Sequence, residues 1–417
     1  MRKTPTRPRG SLVAAADIGT TKICCFIARA EADAPRVIGI GHQVSRGVRN
    51  GQIVDLDLAA TSLLNAVHAA EQMAGETISE VVVNLSGGFP GSRIVPVEIT
   101  IPARDITDAD MRRVLNHGHA YREPPGRQII HSIPVGFSID GSRGIRDPRG
   151  MFGERLGVNM HVVSASSAAV RNVATAVGRC HLEAVGLVVS PYASGLSCLV
   201  EDEIDLGVTV IDMGGGTTSI AVFFDGSVVY ADTVPVGGHH VTNDIARGLS
   251  TPVVHAERMK TLYGSAIPSP ADERETISVP QVGEDEEGST NHIPKSHLIG
   301  IISPRLEETF ELVRNRLEES GFDKLAGRRI VLTGGACQLP GTRELAGMIL
   351  DKQVRIGRPM RVTGLAEATE GPAFATAAGL LRFAVSERAE TRRRDTGLID
   401  EPHGLFGKFG SWLRENL

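Results

Sequence analysis

Two short strings carry most of the chemistry that this chain can offer. Asp17-Ile18-Gly19-Thr20-Thr21-Lys22 and Asp212-Met213-Gly214-Gly215-Gly216-Thr217-Thr218 each place an Asp at the end of an apolar run, with Gly and Thr following. A tight turn of this composition presents backbone N–H groups to phosphate oxygens at close range. The carboxylate before it can hold a hydrated Mg²⁺, an ion that keeps most of its waters. Asp17 and Asp212 are therefore the candidate metal groups, acting through water. Either string alone reads as a turn. Two of them, with Thr333-Gly334-Gly335-Ala336 further on, call for a nucleoside triphosphate between two halves of similar design.

The elements around these strings fit that demand. LVAAADIGTTKICCFIA (12–28) and GVTVIDMGGGTTSIAVFFDGSVVY (207–230) both read as apolar strand, polar turn and second strand. VLTGGACQLPG (331–341) is a strand entering a Gly-rich turn. ATSLLNAVHAAEQMAG has Leu63, Leu64, Val67, Ala70 and Met73 at helical spacing. Between Gly88 and Met160 the character changes to short strands, several Pro and loops, which suggests a smaller inserted unit. Residues 264–297 are polar, acidic and Pro-containing and read as a long surface loop. Residues 386–401 are charged and unpatterned, as in a linker.

Composition sets the outer bounds. The chain has 417 residues, 41% hydrophobic and only 4% aromatic, so its core must rest on Val, Ile, Leu and Ala. Its 47 Gly suit tight strand-to-helix turns. The net charge of −5 gives no basic field for a nucleic acid, and none is expected as partner. Five Cys without CxxC spacing, two of them the adjacent Cys24 and Cys25, fit buried reduced thiols in a cytosolic protein. The basic start followed by SLVAAA is cut short by Asp17 and Lys22, too early for a secretory signal. No run reaches membrane-spanning length.

The three Gly-rich strings resemble the two phosphate motifs and the adenosine motif of the actin, sugar-kinase and DnaK-chaperone superfamily. That resemblance implies a two-lobed α/β, ribonuclease-H-like fold with ATP and Mg²⁺ in the cleft. It assigns Gly19, Thr20, Thr21, Lys22, Gly214, Gly215, Gly216, Thr217 and Thr218 to phosphate, and Gly334, Gly335 and Ala336 to the adenosine. In His255-Ala256-Glu257-Arg258-Met259-Lys260, Glu257 and Lys260 share a helical face. The superfamily often uses such a pair on ribose and adenine, although the pattern alone fits an ordinary surface ion pair.

Longer strings narrow the resemblance. SRGVRNGQIVDLD, AVHAAEQMAG, GIRDPRGMFGERLGV, PVGGHHVTNDIARGL, IISPRLEETFELV and VRIGRP look like the bacterial division family FtsA, over about residues 12–384 and again at the terminus. PVGGHHVTNDIARGL adds Gly238 to the nucleotide set. The resemblance implies lobe 1 over 11–86 and 163–205, an inserted subdomain over 87–162, and lobe 2 over 206–236 and 325–385. An outer subdomain would span 237–324, a flexible linker 386–401 and a membrane-targeting helix 402–417. It also implies an actin-like polymer that tethers the tubulin-like FtsZ ring to the inner face of the membrane and helps recruit later divisome proteins. The FtsZ C-terminal tail would meet Arg305 and Glu308 in IISPRLEETFEL. The family usually carries an acid where Ser303 stands.

The terminus supports this on physical grounds. In PHGLFGKFGSWLRENL, Leu405, Phe406, Phe409, Trp412, Leu413 and Leu417 form one apolar stripe, with Lys408 and Arg414 beside it for anionic lipids. A helix docked on the core is the competing reading of that stripe. Hydrolysis is expected to be slow. DnaK-type chaperones place a Glu where Ser190 falls, and no catalytic group replaces it here. A PilM-type pilus adaptor, or a phosphotransferase or chaperone of the same fold, is the alternative.

Overall fold

A computed structural model describes residues 10–31, 34–282 and 290–395. The expected membrane helix, with Leu405, Phe406, Phe409, Trp412, Leu413 and Leu417, lies outside the described residues, as do the basic start and the end of the expected linker. Among the described residues no helix is long and apolar enough to cross a membrane.

The chain opens with β1 (Leu12–Ile18), β2 (Lys22–Ala30) and β3 (Pro35–Val44), then a short hairpin of β4 (Val48–Arg49) and β5 (Gln52–Ile53), α1 (Leu56–Ala74) and β6 (Glu80–Leu85). The inserted unit follows as β7 (Gly91–Asp105), α2 (Asp108–His119), β8 (Arg127–Ile139), β9 (Ser142–Ile145) and β10 (Phe152–Ser166). Next come α3 (Ser167–Arg179), β11 (Glu183–Val189), α4 (Ser190–Cys198) and α5 (Glu201–Leu206). The second half holds β12 (Val208–Met213), β13 (Thr218–Phe224), β14 (Ser227–Val234), α6 (Gly238–Gly248) and α7 (Val253–Tyr263). It ends with β15 (Thr276–Pro280), β16 (Thr290–Pro294), α8 (Lys295–Ser320), β17 (Arg329–Thr333), α9 (Thr342–Leu350), β18 (Gln353–Ile356) and α10 (Ala375–Asp395).

The duplication read from the two Asp strings extends to the sheets. One runs β11-β6-β1-β2-β3, the other begins β18-β17-β12-β13-β14. In each, the Asp-bearing strand pairs parallel with a neighbour on one side and antiparallel with its own hairpin partner on the other. Cys24 and Cys25 alternate as a strand demands and serve the cores on opposite faces of β2. All five Cys are free and buried. In α1, Asp55 caps the first turn by accepting the Asp57 and Leu58 amides at 3.0 Å each, and Gly75 closes the helix in the left-handed region. Leu63, Val67 and Ala70 pack inward, whereas Met73, on the last turn, is 58% exposed.

Two sequence readings are corrected. The strands of the inserted unit are long: β7 and β10 each have 15 residues, pairing along nearly their whole length. Residues 264–297 are more than a surface loop. They include the antiparallel hairpin β15–β16, which buries Ile277 and Val279 in the second lobe's core. Its five-residue alternation is too short to stand out among polar neighbours. A further difference concerns the expected linker, because α10 continues to Asp395.

The inserted unit leaves the first lobe in sequence but continues the second lobe's sheet. β7 pairs with β14 at Gly91 and Asp232, and the Ala231 amide donates to Ser92 Oγ at 2.8 Å. The order therefore runs on as β14-β7-β10-β8-β9.

Candidate functional site

The two Gly-rich turns share one geometry. The Gly19 amide donates to the Lys22 carbonyl at 3.1 Å, and the Gly214 amide donates to the Thr217 carbonyl at 2.8 Å. The turns also meet. A methyl group on Gly215 would stand 2.0 Å from Thr21 Oγ1, and one on Gly216 would stand 2.5 Å from Thr20 Oγ1. At Gly216 the added carbon would also lie 2.7 Å from the Asn50 α-carbon, so at that position only Gly permits the second-lobe turn to approach so closely. The β4–β5 hairpin completes this wall, because the Gly51 amide donates to Thr20 Oγ1 at 2.9 Å.

Behind the turns lie the two carboxylates, both nearly inaccessible. Asp17 Oδ1 accepts from Asn84 Nδ2 at 2.8 Å. The same Asn84 amide donates to Ser190 Oγ at 3.0 Å, and its carbonyl accepts from the Ile18 amide at 2.7 Å. Asp212 Oδ2 accepts from Ser194 Oγ at 2.5 Å and from Thr376 Oγ1 at 3.0 Å. Burial raises the pKa of Asp17 from 3.8 to about 6; Lys22 opposes that shift and the negative charge of Asp212 adds to it. Burial also raises Asp212, against the hydrogen bonds from Ser194 and Thr376 and the charge of Lys22. Lys22 is held at the join, bonded to the Ala373 carbonyl with its Nζ 3.5 Å from the centre of the Phe374 ring.

The residues that the sequence assigns to adenosine lie at the start of α6 and in the turn after β17. The Gly238 amide donates to the Gly214 carbonyl at 3.0 Å, placing α6 directly behind the second Gly-rich turn. The α-carbon of Gly238 faces Ala336 closely enough that a methyl group there would lie 3.0 Å from its Cβ. Gly334 has φ +88° and donates its amide to the Pro372 carbonyl at 3.2 Å. Lys260 Nζ donates to the Gly238 carbonyl at 3.1 Å, to Thr242 Oγ1 at 2.8 Å and to Glu257 Oε2 at 2.7 Å. Thr218 Oγ1 donates to the Val236 carbonyl at 2.8 Å, tying the turn to the strand end before α6. Next to the Gly335 turn is a cavity of about 340 Å³, lined by Cys337, Gln338, Leu339, Gly341, Arg358 and Pro372 among others.

Asp17, Asp212, both Gly-rich turns, Gly238, Glu257, Lys260 and Gly334–Ala336 thus gather around one cleft. Arg305 and Glu308 do not join it. They sit on α8, where Arg305 Nε binds Asp244 Oδ2 at 2.5 Å and its guanidinium also pairs with Glu308. Ser303, on the same helix, is buried and donates to the Ala266 carbonyl at 2.7 Å. Sequence reasoning missed Asn84, Ser194 and Thr376. Asn84 left a trace as the one polar residue in the apolar run VVVNL. Ser194 and Thr376 left none, since each reaches Asp212 only through tertiary packing.

Two pseudo-equivalent α/β lobes, each presenting an Asp and a Gly-rich turn to a shared cleft, define an actin-like protein. A family profile for Cell division protein FtsA matches residues 209–379, and one for the SHS2 domain inserted in FTSA matches residues 87–164. Cell division protein FtsA of Rhizobium meliloti is 47% identical over 421 residues, covering 98% of this chain and 95% of that protein. The chain belongs to the FtsA family of cell division proteins. Among solved structures it is similar to the PilM–PilN type IV pilus biogenesis complex (TM-score 0.63, 19% identity, covering 91% of this chain and 99% of that one). It is also similar to MreB 5 of Spiroplasma citri bound to AMPPNP (TM-score 0.54, 14% identity, 93% and 99%).

Proposed function

We propose that this chain is an actin-like cell-division protein whose lobes close on ATP with Mg²⁺, and that closure favours assembly with further copies. The observation that carries this reading is the pair of buried carboxylates at the contact between two Gly-rich turns. Each is secured by one oxygen, Asp17 Oδ1 and Asp212 Oδ2, and the negative charge of one raises the pKa of the other. A hydrated divalent cation would relieve both the burial cost and that repulsion. Among the described residues no three His, Cys, Asp or Glu side chains gather as a metal cage, so the cation would be held by these two carboxylates, water and phosphate. When bound, it supplies charge neutralisation at the phosphate oxygens.

The chain's own groups do the rest. Gly19–Lys22 and Gly214–Thr218 offer backbone N–H and hydroxyl donors to phosphate. Lys22 adds a positive charge between the lobes. Gly238, Glu257 and Lys260 face the ribose, and Gly334–Ala336 receives the base. Ser190 is engaged with Asn84 and is a poor general base, so turnover is slow and the nucleotide acts as an assembly ligand.

Partners follow from the family resemblance. The terminal residues 402–417 carry the apolar stripe and its flanking cations to anionic lipid on the cytoplasmic membrane face at the division site. The α8 region with Arg305 and Glu308 receives the FtsZ C-terminal tail, and later divisome proteins meet the inserted unit. A single tail binds weakly and an array of tails on a polymer binds strongly.

The test is co-sedimentation with anionic vesicles, with and without ATP and Mg²⁺, of the full chain and of a chain ending at Glu401. Tail-dependent pelleting that ATP enhances is the expected result. Equal pelleting of both chains would sink the anchor, and indifference to ATP would sink the gating.

A further inference from the structure

One buried titratable group near the cleft has no part in the mechanism above. His131 lies on β8 of the inserted unit, opposite Val163 of β10, and is 5% exposed. Its ring leaves its own unit to meet the junction of the lobes. It stands edge-on to Tyr192 of α4, with ring centres 5.3 Å apart, and to Phe383 of α10 at 6.2 Å. Its Nε2 accepts the Val189 amide hydrogen at 3.1 Å. An accepting Nε2 requires a neutral ring with its proton on Nδ1. Burial, with His161 as a lesser cause, keeps the ring neutral by lowering its pKa to about 3.

Val189 is the residue at which β11 becomes α4. No side chain of its own segment caps that helix, so the inserted unit supplies the acceptor instead. From there a buried chain of hydrogen bonds runs to the cleft. Ser190 follows Val189, Asn84 donates to Ser190 Oγ at 3.0 Å, and Asn84 donates to Asp17 Oδ1 at 2.8 Å. Every side chain along it is less than 9% exposed. The unit carrying His131 is itself fixed to the second lobe through the β7–β14 pairing.

We propose that His131 is a positioning residue of the nucleotide site: it fixes the first turn of α4 and, through Ser190 and Asn84, the Asp17 carboxylate. The inserted unit is then part of the cleft's supporting frame as well as a surface for other proteins. The proposal rests on the nucleotide-binding reading above. A plain packing role for the ring makes a different prediction, because packing needs its shape and positioning needs its acceptor nitrogen.

His131→Phe keeps the bulk but strands the Val189 N–H. His131→Gln returns an acceptor at a similar reach. ATP–Mg²⁺ affinity of the full chain is measured by titration calorimetry for wild type and both variants, alongside thermal unfolding without nucleotide. His131→Phe is expected to bind about tenfold more weakly, and His131→Gln to stay within about threefold of wild type. Should His131→Phe not fold, His131→Asn, whose amide is too short to reach Val189, takes its place with the same expected loss. Unchanged affinity in His131→Phe overturns the proposal. So does a loss in His131→Gln as large as that in His131→Phe, since a lost shape then explains both. A wild-type chain that binds no ATP overturns the nucleotide reading itself, a result separable from either of these.

Discussion

Ser190 and Ser194 stand one turn apart on α4, and each leads to a different carboxylate of the cleft. Ser190 Oγ accepts from Asn84, whose amide also reaches Asp17, while Ser194 Oγ donates to Asp212 at 2.5 Å. The helix is clamped in place by α10, where a methyl group on Gly379 would lie 1.7 Å from the Ala193 carbonyl oxygen. A rotation of one lobe against the other must therefore be felt by both carboxylates through one short helix.

Ser194→Ala is expected to push the Asp212 pKa further up, because it removes a hydrogen bond that now lowers it. Hydrogen bonds to charged groups contribute about 1.5–3 kcal/mol, so ATP affinity in Mg²⁺ should fall roughly tenfold or more. Affinity measured without Mg²⁺ should change much less. Equal losses with and without the ion would show that Ser194 acts on the fold and not on the carboxylate.

Asp17 carries a stability cost whose sign is fixed by its raised pKa. The cost is absent below the ordinary carboxylate value of 3.8, where Asp17 is protonated folded or unfolded, and is fully present once pH has risen through about 6. The difference converts to roughly 3 kcal/mol at neutral pH. Asp17→Asn should therefore make the nucleotide-free chain more stable at pH 7.5, flatten its stability between pH 4 and 7, and abolish Mg²⁺-dependent ATP binding. Urea unfolding across that pH range with a chelator present checks the first two points. A less stable variant at pH 7.5 would refute the argument.

Gly216→Ala should keep the lobes from meeting, since its methyl group would lie 2.7 Å from the Asn50 α-carbon, backbone that no side-chain rotation moves aside. ATP affinity and ATP-dependent polymer formation are expected to drop at least tenfold. The control is Gly178→Ala in α3, where the added carbon meets nothing within 4 Å. That change should stabilise the helix by up to about 1 kcal/mol and leave ATP binding alone. Comparable binding by the two variants would remove the case for contact-dependent closure.

Arg305→Glu should break the pair with Asp244 and place like charges beside Glu308. If α8 receives the FtsZ tail, binding of a peptide carrying that tail should be lost in this variant, while ATP affinity stays within about twofold. Fluorescence anisotropy of the labelled peptide reads the first effect. Retained peptide binding would move the contact elsewhere on the outer subdomain.

Much of the cleft was legible in the residues because its chemistry is local. A Gly-rich turn after an apolar strand ending in Asp has few conformations open to it, and its repetition near residue 212 announced a second lobe before any contact was known. Glu257 and Lys260, three apart, could be placed on one helical face by spacing alone.

What the tertiary structure decided lies in contacts between residues far apart in the chain. Asp212 finds Ser194 and Thr376, Asn84 bridges Asp17 and Ser190, and His131 reaches Val189. None of these partners is set by turn chemistry or periodicity; each depends on how α4, α10 and the inserted unit pack. The same holds for β7 joining β14, which carried the inserted unit onto the second lobe's sheet, and for the β15–β16 hairpin. Local propensity determined the elements and their chemistry, whereas burial, which acts on the whole fold at once, determined which of them would meet.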